Sequence, residues 1–127
     1  MSIPNAEHVS AEQLTEIEQL SKKSPTDEEL FREVGRSLGP GATGESPEER
    51  GRAAVKRVLR DIRAATCGND ALRMFCEDPN TIDATQIVVA ISGALIAAGF
   101  AGINPILIAY LVARIGLRKV CANEWKL

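Results

Sequence analysis

Charged residues punctuate the chain every few positions except between Ala84 and Ala113, where thirty consecutive residues include no Asp, Glu, Lys, Arg or His. Outside that stretch, apolar residues recur three and four apart in segments bounded by helix start and stop signals, and no run alternates as a strand would. The pattern predicts an all-α fold: a compact bundle of about six helices with a buried apolar C-terminal helical hairpin. The expected layout is a loose N-terminus (1–9), a single helical domain (10–121) and a tail (122–127). Within the domain we expect a flexible linker at 39–45 and the apolar hairpin at 81–120.

The start signals are specific. Ser10 followed by Gln13, and Thr26 followed by Glu29, read as capping boxes for the first two helices, with a Val9–Leu14 hydrophobic staple on the first. Leu14, Ile17 and Leu20 or Ser21 are the expected inner face of the first helix; Leu30, Phe31, Val34 and Leu38 form the stripe of the second. Ser46-Pro47-Glu48-Glu49 combines a cap, a first-turn proline and a box glutamate to open a third helix, whose apolar side is Val55, Val58, Leu59 and Ile62. Asn69 or Asp70 caps a short fourth helix carrying Leu72, Met74 and Phe75. Asn80 or Thr81 opens the fifth and Asn104 the sixth, which is expected to run from Pro105 to Val120.

A single helix of thirty residues would extend about 45 Å, against a hydrocarbon core of about 30 Å, so length alone allows one membrane span. Gly99, Gly102, Asn104 and Pro105 argue for two shorter helices instead, because they supply a stop, a cap and a first-turn proline. Small residues recur every four positions at Ala90, Ala94, Ala98 and Gly102, with Gly93, Ala97 and Ala101 in a parallel row, a spacing that admits close helix packing. Apolar nearly all round, the fifth helix is expected at the centre of the bundle.

Composition narrows the class. Apolar residues are 45% and charged residues 25% of the 127 positions, ordinary for one globular domain, and the 4% aromatic share leaves a core of Leu, Ile, Val and Ala. Net charge is −2 but uneven: residues 1–49 carry eleven acidic and four basic side chains, whereas Arg50 to Arg63 carry six basic and one acidic. The basic residues of the third helix are expected to form a solvated face, partly paired with the acidic first two helices. Cys67, Cys76 and Cys121 form no C-x-x-C pair; with no export signal, we expect reduced, buried thiols in a cytoplasm, with redox sensing as the alternative.

Catalytic patterns are missing. His8 is the single histidine, so neither Ser-His nor Cys-His pairing nor a histidine-based metal site is assembled, and no cofactor is implied. The glycines from Gly35 to Gly44 lack the Gly-Lys-Ser/Thr of a phosphate loop and read as a linker. Arg52, Lys56, Arg57, Arg60 and Arg63 on the third helix, with Trp125 in the tail, are the candidate interaction surface. That surface lacks the aromatic, Asn or Gln residues that read bases, which disfavours nucleic acid. The helix count is similar to that of six-helix death-fold adaptors, and the apolar hairpin among amphipathic helices is similar in layout to the core of colicin-type pore-forming domains. Both are likenesses of layout, with no shared motif. The sequence therefore points to a non-enzymatic helical interaction or adaptor module that self-associates or docks a protein partner through the hairpin and the third helix. The alternative is a membrane-inserting, pore-forming or toxin-like effector using 84–113.

Overall fold

A computed structural model of the chain describes residues 3–39, 45–78 and 83–126. Among the described residues the fold is an all-helical bundle: α1 (Ala11–Lys23), α2 (Asp27–Ser37), α3 (Pro47–Cys67), α4 (Asp70–Glu77), α5 (Ala84–Ala97) and α6 (Pro105–Ile115). Two single turns follow, α7 (Leu117–Val120) and α8 (Ala122–Trp125), and a 3₁₀ turn at Ala6–His8 precedes α1.

Local chemistry sets most boundaries. Ser10 Oγ accepts from the Gln13 N–H while Gln13 Oε1 accepts from the Ser10 N–H, and Thr26 with Glu29 repeats the arrangement. At α3 the box is half made: Ser46 accepts from the Glu49 N–H, but Glu49 gives no bond in return. Asn69 caps α4 and Asn104 caps α6. Asp83 caps α5, its carboxylate accepting from the Thr85 N–H at 2.8 Å; the expected caps Asn80 and Thr81 lie outside the described residues. At the far end of α5 the Phe100 N–H reaches Leu95 O and the Gly99 N–H reaches Ile96 O, with Gly99 at φ 77°, so the predicted glycine stop is a paired-bond cap.

Several sequence expectations need correction. Helix six does not reach Val120: Gly116, at φ 103° and ψ 125°, ends α6 and redirects the chain into α7. The inner face of α1 is Ile17 with Leu20 half-buried; Leu14 is 39% exposed, because Val9 turns into the core without it. Gly35 is not linker but a buried residue of α2.

That last correction explains how α2 and α3 meet. A Cβ on Gly35 would overlap the Pro47 carbonyl, and one on Gly51 would overlap the Phe31 carbonyl. The two glycines lie four residues from each other's contact, Phe31 to Gly35 on α2 and Pro47 to Gly51 on α3, so the antiparallel helices interlock backbone to backbone. The N-terminal segment, expected to be loose, is also docked: a Cβ on Gly93 of α5 would overlap the Asn5 carbonyl, and Ile3, Ala6 and Val9 pack on the core.

The hairpin forms the centre, as predicted. Val88 to Leu95 are buried without interruption, and Ile106 to Ala109, Leu111 and Val112 face them. Among the described residues no helix is long and apolar enough to cross a membrane.

The cysteine expectation is overturned. Cys67 and Cys121 form a disulfide that ties the last turn of α3 to the end of α7, and Cys76 is the remaining free thiol. Alpha8 closes over this link: Trp125 is buried, its Nε1–H donates to Cys67 O at 3.0 Å, and the Arg73 guanidinium lies 4.6 Å over its ring.

Candidate interaction face

Helix α3 is the longest element, with twenty-one residues, and its capped, glycine-locked first half is held rigidly against α2. Its inner side buries Gly51, Ala54, Ile62 and Ala65. A helix fixed in this way displays its outer side chains in a defined row. Arg52, Lys56, Arg57 and Arg60 are exposed and Arg63 is half-buried.

These five cations are not equivalent. Arg52 is engaged twice, with Nη2 at 2.9 Å from Glu48 and its guanidinium 4.4 Å over the Phe31 ring. Lys56, Arg57, Arg60 and Arg63 have no ion-pair partner among the described residues. They form the expected solvated face, but the expected partial pairing with α1 and α2 is not made among the described residues. In α2, Asp27 pairs with Arg114 of α6 at 2.6 Å and Glu33 with Arg36 of its own helix. The glycine register, Phe31 against Gly51 and Gly35 against Pro47, sets the first turn of α2 level with about position 55 of α3; Lys56 and Arg57 are exposed there, and Arg60 and Arg63 lie further along the helix.

The other predicted site residues fall elsewhere. Trp125 is buried and so does not add to the exposed surface. Ala90 and Ala94 are fully buried on α5; Ala98 is its exposed C-cap, and Gly102, at φ 94°, belongs to the turn before α6. A close backbone approach to α5 is made at Gly93, in the parallel row of small residues, by the Asn5 carbonyl.

Below the free cations an open groove of about 490 Å³ is lined by Arg60, Arg63, Ala64, Cys67, Gly68 and Glu124. Arg63 Nε is buried there with no hydrogen-bond partner. The sequence hid this groove because Glu124 reaches it through the Gly116 turn and the disulfide. A second cleft, about 370 Å³, carries Glu16, Glu29 and Glu33 between α1 and α2. Two of its carboxylates already have structural tasks, Glu16 accepting from Asn104 Nδ2 at 2.7 Å and Glu29 closing the α2 cap.

Among the described residues no group of three or more His, Cys, Asp or Glu side chains is placed to hold a metal. Burial, and secondarily the Glu77 charge, pushes the Cys76 thiol up to about 11, which keeps it protonated and a poor nucleophile. No protein-family model, curated protein or solved structure matches the chain.

Proposed function

We propose that the protein is a non-enzymatic interaction module that docks an acidic protein partner on the outer face of α3. The supporting observation is the row Lys56, Arg57 and Arg60: exposed, without an ion-pair partner among the described residues, and displayed by a helix whose position is fixed by its glycine contacts. Opposite charge on a partner would steer encounter and set register, with its strength falling as salt rises. The hairpin supports this role as scaffold, since its apolar side chains are spent on the core. The disulfide supports a setting where thiols oxidise, in place of the reducing cytoplasm expected from the sequence.

The test is binding of a fluorescent poly-glutamate peptide at low and high salt, to the wild type and to the Lys56→Glu/Arg57→Glu/Arg60→Glu variant. Expected is salt-sensitive binding that the charge reversal abolishes. No binding at low salt, or binding indifferent to the reversal, refutes the proposal. Anionic liposomes form a parallel arm: dye release there, with no peptide binding, would favour insertion of the 84–113 hairpin instead.

A further inference from the structure

The two ends of the Cys67–Cys121 disulfide differ in access. Cys121 is 0% exposed, whereas Cys67 is 7% exposed and lines the groove that also holds Arg60 and Arg63. The groove thus brings Arg60, Arg63 and the disulfide-bonded residue Cys67 to one opening, and the Arg63 Nε has no hydrogen-bond partner among the described residues.

We propose that this groove is a thiol-exchange site, at which an external thiol bearing carboxylates attacks the disulfide through Cys67. The attacking species in such exchange is a thiolate, and Arg60 and Arg63, which outnumber the single Glu124 carboxylate lining the groove, favour that form while concentrating an anionic reagent at the opening. In the first step a bond forms between the external sulfur and Cys67 Sγ as the Cys67–Cys121 bond breaks. Cys121 leaves with the electron pair and takes up a proton. In the second step another external thiolate attacks the external sulfur of the mixed disulfide and expels Cys67. Two external thiols become one external disulfide, and their two electrons reduce the protein.

The surroundings suit the product. Thr66 Oγ1 donates to Ile62 O at 2.8 Å and stands 3.7 Å from Cys67 Sγ, so a reduced Cys67 S–H has an acceptor waiting. Cys76 does not compete as an internal attacker, because burial holds it protonated. Reduction would leave α7 and α8 held by non-covalent contacts, those of Leu117, Val120 and Trp125, loosening the Glu124 side of the groove. Arg60 belongs both to this groove and to the docking row, but the exchange at Cys67 requires no docked partner.

The experiment uses the full oxidised chain in native buffer, with glutathione as the anionic thiol and cysteamine as the cationic one. Acid-quenched samples are mapped by mass spectrometry, and rates are compared between the wild type and Arg60→Ala/Arg63→Ala. Expected is a glutathione adduct on Cys67 with Cys121 free, and a glutathione-to-cysteamine rate ratio about tenfold lower in the variant. An adduct on Cys121, no adduct, an unchanged ratio, or reduction no faster than global unfolding overturns the proposal. Helical circular dichroism checks the variant's fold; should it be lost, exposed Arg60→Glu alone carries the rate comparison.

Discussion

Gly35 of α2 stands so close to Pro47 of α3 that a Cβ at position 35 would overlap the Pro47 carbonyl oxygen and carbon. The obstacle is backbone within a capped first turn, which cannot rotate aside as a side-chain end would. Replacing a helical glycine by alanine ordinarily gains about 1 kcal/mol from backbone entropy. Here overpacking, typically about 1–3 kcal/mol, opposes that gain and exceeds it because the contact is backbone on backbone. Gly35→Ala is therefore expected to lower the urea midpoint, and Gly51→Ala, facing the Phe31 carbonyl, to do the same. Gly68→Ala is the control: its Cβ would meet Ala64 O at an ordinary 3.5 Å, so stability should hold or rise. Equal stability in all three variants would show that α2 and α3 separate at little cost.

Cys76 offers a pH test. Its thiol is raised from 9.0 to about 11, first by burial and then by Glu77. A raised folded-state value means that the folded chain holds the proton more tightly than the unfolded one. The stability this contributes is complete below about 9 and is lost as pH climbs towards 11. The difference in unfolding free energy between wild type and Cys76→Ser should thus shift against the wild type across that window. Iodoacetamide should label Cys76 slowly at pH 8 in the native protein and faster in urea. Native labelling at the unfolded rate would contradict the burial.

The readable parts of the sequence were those governed by neighbours in the chain. Ser10, Thr26, Asn104 and the Gly99 stop act over two to five residues, and their signals survived folding unchanged. The buried hairpin was legible because thirty residues without charge leave few alternatives to a core. What stayed hidden depends on residues distant in sequence. Gly35 and Gly51 look like a linker glycine and an indifferent helical one until α2 and α3 are set antiparallel. Gly116 has no flanking proline or polar cluster to mark a break, so the apolar pattern ran past it to Val120. The sequence does not show which partners the acids of α2 take: Asp27 pairs with Arg114, 87 positions away, and Glu33 with Arg36 of its own helix. Cys67 and Cys121, separated by 54 positions, meet only because Gly116 turns the chain back.

That long separation makes the disulfide's effect on stability testable. In the chain-entropy account, a cross-link acts mainly by restricting the unfolded ensemble, and a loop of this size corresponds to about 4 kcal/mol. Small domains total about 5–15 kcal/mol, so the link would supply a large share. Cys67→Ala/Cys121→Ala should lower the unfolding free energy by roughly that amount and steepen its urea dependence, because the unlinked chain exposes more surface when unfolded. Trp125→Phe separates the covalent from the non-covalent tie. It keeps the buried ring but removes the hydrogen bond to Cys67 O, so its expected cost is about 1 kcal/mol. If the double alanine variant lost less than Trp125→Phe, the tail would be held by packing and the disulfide would add little to it. A loss near the entropic value, with a steeper slope, would instead place its effect in the unfolded chain.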